Sequence, residues 1–377
     1  MNELLRHIVA AREVPRLPST PCGGGPVCAS EPTTSGTGRA RNRGPRGRTV
    51  HRWVRGWFAA AFVATAFPVA AADTGEMRWD PNMSVVGGIE VYQARFDDTV
   101  LDVARRFGMG LEEMKLANPG VDLWLPGKGT PIRLPSRYVL PSSPHRGVVI
   151  NVPEMRLYYF AKDATTVRTW PVSIGRLEYE TPLGRTTVVK KKVGPVWIPT
   201  DTIREEYAAR GEILPRVVRP GPDNPLGSHA LYLGFPTYLI HGTNRPYSIG
   251  MRVSFGCVRL YPEDIVELYD LVTPGTPVAI VDQRVKAGWL GEELYLEVHP
   301  NPGAPADEAR PSMTDAVRAI IEATPGRTGP PPVDWERVRS ALAAADGVPT
   351  VVGNRMAEPK LAGTRRGRPL QAPSSSS

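Results

Sequence analysis

From Gly147 onward the chain is a succession of short β-rich runs broken by Pro, Gly and Asp, and no other feature constrains its fold as much. Residues 148–152, 155–160, 165–172 and 185–189 each alternate β-branched or aromatic residues with others, and the last such run is 278–282. Runs of this length and spacing build a β-sandwich or barrel, not a helical bundle or a βαβ layer. Residues 190–228 interrupt the alternation with Lys190, Lys191 and Lys192, then Trp197, a helix predicted over Thr202–Arg210, and Pro- and Gly-rich sequence. An insertion this long in a β domain is more often a lid or cleft wall than a plain turn.

The flanks read differently. Residues 89–96 are strand-like, Asp97, Asp98 and Thr99 cap a helix predicted over Val100–Phe107, and Gly108 breaks it. A second short helix follows over Leu111–Asn118, stopped by Pro119 and Gly120, and a strand over 131–135 closes a small α+β unit spanning 88–136. Beyond the β domain, assigned to 147–283, an extension over 284–353 holds a strand-like run at 293–298. It also holds helical apolar spacing over Thr314–Ala323 (Ala316, Val317, Ile320, Ile321) and Asp334–Ala345 (Trp335, Val338, Leu342), with 348–352 as a short finish. The two helices are expected to pack as a pair on the β domain. A length of 377 residues accommodates two or three domains of this kind.

The net charge of +8 suggests a nucleic-acid binder until it is located. Residues 1–55 carry ten Arg against Glu3, Glu13 and Glu31, a net of +7, and residues 355–377 add +4, which leaves −3 for 56–354. The basic character therefore belongs to the two ends, and nucleic acid is not an expected partner. The Arg-rich start runs into an apolar stretch, Trp57 to Phe67, and then Ala70-x-Ala72 spacing, which reads as a secretory signal over 1–72 cleaved after Ala72. Export to the periplasm follows, with an uncleaved membrane anchor as the alternative, and the long leader leaves a translation start after Met1 open. The basic tail 354–377 is expected to be disordered.

Export leaves Cys257 as the lone thiol of the mature chain, since Cys22 and Cys28 fall in the leader. A buried inert cysteine is the ordinary reading, but the neighbourhood points elsewhere. Strand-like residues 231–234 and 238–240 put His241 at a strand end, and Cys257 follows sixteen residues later in a Ser254-Phe255-Gly256-Cys257 turn. A helix predicted over Pro262–Val272 then carries the chain away. A thiol becomes a nucleophile when an imidazole takes its proton, and glycine beside it lets an acyl group approach backbone N–H donors. His145, His229 and His299 lie apart without metal-ligand spacing, so neither a metal nor another cofactor is called for.

Several ordered elements then coincide: Thr181 to Gly184, Asn224 to Gly227, His241-Gly242-Thr243-Asn244, and Ser254-x-Gly256-Cys257-Val258-Arg259-Leu260. Together they resemble the L,D-transpeptidase catalytic domain, also called YkuD-like, with one departure: Phe255 stands where many relatives carry His. The unit 88–136, with Asp98-Thr99 before its first helix and Ala117-Asn118-Pro119 after its second, resembles a LysM module. A generic small α+β subdomain is the rival reading.

The resemblance implies a mainly β fold: a β-sandwich catalytic domain preceded by a small α+β LysM-like domain and followed by a short helical extension. It also implies an acyltransferase and carbapenem target in which Cys257 attacks the carbonyl before the terminal D-Ala of a peptidoglycan tetrapeptide stem. His241 would move the proton, the Gly242 carbonyl would orient the imidazole, and N–H groups around Gly256 and Cys257 would hold the oxyanion. Ser254, Gly256, Arg259, Asn244 and Trp197 would contact substrate, although Arg259 could instead form a structural ion pair and Trp197 could be core. Expected partners are stem peptides, glycan strands and an outer-membrane lipoprotein whose Lys could act as acceptor in place of diaminopimelate. Two rival functions remain: a wall-binding protein with catalysis weakened by Phe255, and an L,D-carboxypeptidase in which water resolves the thioester.

Overall fold

The computed structural model describes residues 76–355 apart from 81–82, 163–164, 302–309 and 326–331. The signal expected over 1–72, and the basic tail beyond Arg355, lie outside the described residues. Among the described residues no helix is long and apolar enough to cross a membrane.

After β1 (Glu76–Arg78) the chain builds a small α+β module from β2 (Val85–Gly87), β3 (Glu90–Gln93), α1 (Val100–Arg106), α2 (Leu111–Ala117), β4 (Pro131–Leu134) and β5 (Arg137–Val139). β3 pairs antiparallel with β4, and outside them β2 pairs with β5. A capping box starts α1: Thr99 Oγ1 accepts the Asp102 N–H at 3.1 Å while the Asp102 carboxylate answers the Thr99 N–H. Asn118 ends α2 and ties it to β4, donating to Met114 O at 2.8 Å and to Arg133 O at 2.9 Å while accepting the Arg133 N–H at 2.7 Å. Val100, Val103, Met114, Ile132 and Leu134 fill the space between.

The main domain runs through β6 (Gly147–Asn151), β7 (Arg156–Phe160), β8 (Thr166–Pro171), β9 (Ile174–Gly175), β10 (Gly184–Val193), α3 (Asp201–Ala209), β11 (His229–Leu233), β12 (Leu239–His241), β13 (Arg252–Ser254), β14 (Val258–Arg259), α4 (Pro262–Leu271) and β15 (Pro277–Val281). Nine strands form one sheet in the order β1-β8-β7-β6-β15-β10-β11-β12-β14, and β9 pairs with β13 beside it. The centre of the sheet is covered on both faces. Val148, Ile150, Leu157 and Ile280 pack with Ile265 and Leu268 of α4 on one side, while Val149, Tyr158 and Phe160 pack with Trp79, Val86 and Tyr138 on the other. Every residue of β6 and β7 is therefore buried, and the alternation in these strands sorts side chains between two cores, not between core and water.

The three lysines read as a break in the β pattern instead lie inside β10, whose register shifts between Val188 and Lys190. Lys191 shows why a strand tolerates them: its Nζ donates to Val272 O at 2.9 Å and also to Tyr269 O, so it satisfies carbonyls that the end of α4 leaves unpaired.

The C-terminal extension is a three-stranded sheet of β16 (Val285–Leu290), β17 (Glu293–Val298) and β18 (Thr350–Asn354), carrying α5 (Met313–Glu322) and α6 (Trp335–Ala344). The helix pair does not pack on the main domain as expected. Ala316, Ile320, Val338 and Leu342 bury their apolar faces against Trp289, Leu294, Leu296 and Val352 of the extension's own sheet. Extension and main domain meet instead through a buried charged network. Lys286 Nζ lies 2.8 Å from both Glu154 and Glu297, Glu297 accepts the Val139 N–H at 2.6 Å, and His299 Nε2 lies 2.6 Å from Glu297. Glu154, Glu297 and His299 are spaced as metal ligands could be, but the Lys286 ammonium already supplies the positive charge there.

Candidate active site

β12 and β14 run parallel, with Ile240 opposite Val258 and His241 opposite Arg259. Register partners share a face, so His241 and Arg259 project to the same side, and Cys257 lies in the turn just before β14. About two residues of rise and one inter-strand step separate Cys257 from His241 along this pair.

The turn carrying Cys257 is fixed by two hydroxyls. Ser254 Oγ donates to Cys257 O at 2.5 Å and accepts the Gly256 N–H at 3.1 Å; Thr181 Oγ1 donates to Gly256 O and accepts the Gly175 N–H, both at 2.9 Å. Gly256 sits at φ +95°, and a Cβ there would lie 2.6 Å from Tyr238 Cε1, so both backbone and space demand glycine. With the Gly256 N–H engaged, the Cys257 N–H, like that of Phe255, has no acceptor among the described residues.

His241 is 3% exposed, and its Nδ1 lies 2.6 Å from the Gly242 carbonyl. A carbonyl only accepts, so Nδ1 carries the proton, and the ring also meets the backbone of Leu226. Burial, and after it the positive charge of Arg259, hold the imidazolium pKa down to about 3, so the ring is neutral at physiological pH. Burial also pushes the Cys257 thiol up, against the opposing pull of the Leu239 N–H and Arg259. The resting pair is therefore thiol and neutral imidazole, not thiolate and imidazolium. The half-buried sulfur lies 3.8 Å from Thr237 O.

Of the other residues singled out in the sequence, Arg259 makes no ion pair among the described residues, and its Nε is buried without a hydrogen-bond partner. Burial lowers its pKa, which is the signature of a cation short of an anion. Asn244 is exposed and donates to Asp223 O at 3.1 Å, linking the strand end after His241 to the 190–228 insertion. Trp197 is half-buried within that insertion, its backbone paired with Val218, and is not among the residues hydrogen-bonded around the thiol. The hydroxyl of Ser254 is spent on the turn.

Comparison with known proteins gives the family of the chain. The YkuD family model, described as the L,D-transpeptidase catalytic domain, matches residues 145–280. Probable L,D-transpeptidase YbiS of Escherichia coli K12 is 41% identical over 297 residues, which cover 78% of this chain and 96% of the relative. The chain belongs to the L,D-transpeptidase family. Probable L,D-transpeptidase ErfK/SrfK of the same strain is 41% identical over 261 residues, covering 67% of this chain and 81% of its own, and probable L,D-transpeptidase YcfS is 40% identical over 240 residues, covering 62% and 74%.

Three features of this L,D-transpeptidase were not identified as site residues in the sequence. Asn224 is fully buried; it donates to Pro195 O at 2.8 Å and accepts the Leu226 N–H at 2.9 Å, closing the base of the insertion. Gly227 follows at φ +65°, where a Cβ would lie 2.7 Å from Thr243 N, so the Asn224–Gly227 motif exists to pass close behind the His241 strand end. Thr181, within the Thr181–Gly184 motif, holds the Cys257 turn as described. The third is the setting of Phe255. Its ring lies 4.8 Å from that of Tyr179 and 6.4 Å from that of Tyr207 in α3, with the Arg176 guanidinium over it. Only the Thr181 and Asn224 motifs left a trace in the sequence; the aromatic contacts join segments too distant for local pattern to reveal.

Proposed function

We propose that this enzyme acts in the periplasm on tetrapeptide stems of peptidoglycan through a Cys257 thioester. The observation that carries the reading is a neutral imidazole at the end of β12 and a neutral thiol in the turn just before its parallel neighbour β14, with Nδ1 of His241 held by the Gly242 carbonyl. As Cys257 Sγ bonds to the carbonyl carbon that precedes the terminal D-Ala, its proton passes to His241 Nε2. The Cys257 N–H donates to the oxyanion. Collapse breaks the C–N bond, and His241 returns the proton to the departing D-Ala amine, leaving a thioester. An acceptor amine, from diaminopimelate or from a lipoprotein Lys, attacks that thioester, loses a proton to His241, and frees Cys257 as the thiol.

Arg259 has a specific part in this scheme. A stem carboxylate paired with its unpartnered guanidinium would supply the missing anion and at the same moment remove the charge that suppresses the His241 imidazolium, so that substrate binding itself strengthens the base. The small module fits a glycan-binding role of the LysM kind: Phe96, Trp124 and Leu125 are exposed at loops that meet through the Val100 N–H to Leu123 O bond of 2.9 Å.

The test is incubation of the chain lacking residues 1–72 with tetrapeptide muropeptides, read by mass spectrometry beside Cys257→Ala. Loss of D-Ala together with a Cys257-dependent dimer is the expected result. D-Ala loss without dimer would assign water as the acceptor, and no turnover at all would leave a wall-binding protein whose catalysis Phe255 has weakened.

A further inference from the structure

The stretch between His241 and Cys257 touches the small module at an unusual place. The first two N–H groups of α2, which no residue of that helix can satisfy, donate to the other domain: Leu111 N to Ile249 O at 3.1 Å and Glu112 N to Gly250 O at 3.3 Å. Backbone meets backbone there without intervening side chains. A Cβ on Gly250 would lie 2.3 Å from Leu111 N, and one on Gly110 would lie 2.9 Å from the Gly250 Cα. Around this contact, Tyr261 donates to Met109 O at 3.2 Å, Arg156 donates to Gly108 O at 3.3 Å and pairs with Glu113 at 2.5 Å, and Arg105 makes a two-pronged pair with Glu263 at 2.7 and 2.8 Å. On its far side the same stretch is sewn to the strand before the cleft: Ser173 Oγ donates to Ser248 O at 2.6 Å, Ile174 N to Met251 O at 3.2 Å and Arg176 N to Ser254 O at 3.0 Å.

We propose that the Gly108–Glu112 turn of the small module is a positioning element for transpeptidation. By fixing Ile249 and Gly250 it sets the path along which the chain returns from the base on β12 to the nucleophile before β14. The module is then part of the catalytic unit as well as a candidate wall anchor, and Gly110 is a positioning residue because only a residue without Cβ lets the two backbones meet. This inference rests on the Cys257–His241 reading given above.

Gly110→Ser tests it in the full-length protein. Gly110 has φ −89° and ψ 156°, which any residue adopts, and serine is a good N-cap, so the substitution leaves α2 intact and inserts its atoms chiefly against Gly250, with Pro171 Cβ at 3.4 Å in ordinary contact. Gly88→Ala, a module position with open space around it, is the control. Two readouts are taken: amide exchange of residues 246–257, and the rate at which a carbapenem, which needs no glycan contact, acylates Cys257. We expect exchange in 246–257 to rise and acylation to slow, each about tenfold, with binding to isolated cell wall unchanged and Gly88→Ala behaving as wild type. Acylation within twofold of wild type overturns the inference whatever the exchange shows, and slowed acylation with unchanged exchange overturns it too. A wild-type protein that fails to acylate sinks the catalytic reading itself and the inference with it. Should Gly110→Ser not fold, Arg105→Ala combined with Tyr261→Phe removes two links across the same contact without inserting an atom, and is judged by the same readouts.

Discussion

The guanidinium of Arg176 lies 4.4 Å from the centroid of the Phe255 ring. The same guanidinium is gripped by both carboxylate oxygens of Glu206 in α3, at 2.7 and 2.6 Å, and stacks near Tyr179 at 5.0 Å. Since α3 buries none of its own residues, this chain of contacts fastens the insertion helix to the turn bearing Cys257. The Phe255 ring thus offers its face to the Arg176 cation, as an imidazole's polar edge would not.

Phe255→Ala and Arg176→Ala should each loosen α3 without unfolding the protein. Limited trypsin digestion should cut at Arg204 and Arg210 several-fold faster in either variant, and the double variant should cut no faster than the singles, because both remove the same coupled contact. Unchanged digestion would mean that α3 is held by something else.

The pH dependence of Cys257 alkylation by iodoacetamide should follow a thiol of raised pKa, climbing through and above the ordinary thiol range, with no plateau near neutrality from an ion pair. Arg259 favours the thiolate, so Arg259→Met should move the curve to still higher pH and slow alkylation at pH 7, by about tenfold for each unit of displacement. A shift to lower pH in this variant would refute the electrostatic role given to Arg259.

Lys286→Met should be severely destabilising. It leaves Glu154 and Glu297 buried with no cation between them, a loss of about 3–5 kcal/mol for a broken buried ion pair. Adding Glu154→Gln and Glu297→Gln to Lys286→Met should recover much of this in urea unfolding, since the charges then vanish together.

Asp264 has an unpartnered, buried Oδ2, and burial, reinforced by Glu263 and Glu267, pushes its carboxyl up to about 8. The folded state therefore keeps the proton that the unfolded chain, at an ordinary value of 3.8, releases earlier, so the carboxyl costs stability increasingly as pH rises from 3.8 to 8. Asp264→Asn should raise the melting temperature, by more at pH 8 than at pH 5. Equal gains at both would place the charge in water.

Much of this architecture is legible in the chain because its cues are local. Thr99, Thr200, Ser312 and Asp334 cap helices within two residues of where spacing put them, since a cap and its helix are neighbours in sequence. His241 and Cys257 announce themselves for a related reason: their motifs encode backbone turns, each with its own glycine. What stayed hidden depends on partners far along the chain. Nothing near Lys191 shows that Tyr269 and Val272 will present carbonyls to it, and nothing in 314–345 shows that the helices will cover β16 to β18. Phe255 could be recognised as a departure from motif, but its cation sits on a separate strand end and the carboxylate behind that cation on an inserted helix.

The parallel pairing of β6 with β15 has a kinetic meaning. Val148 and Val278 are register partners 130 residues apart, and closing a loop of that length must precede the reward of the contacts it makes. Thiol, imidazole and cysteine turn are all present in a nascent chain that has reached Leu260, yet the strand that bridges the two halves of the sheet comes last. Completion of the sheet that positions Cys257 and His241 therefore waits until synthesis of the domain is nearly over.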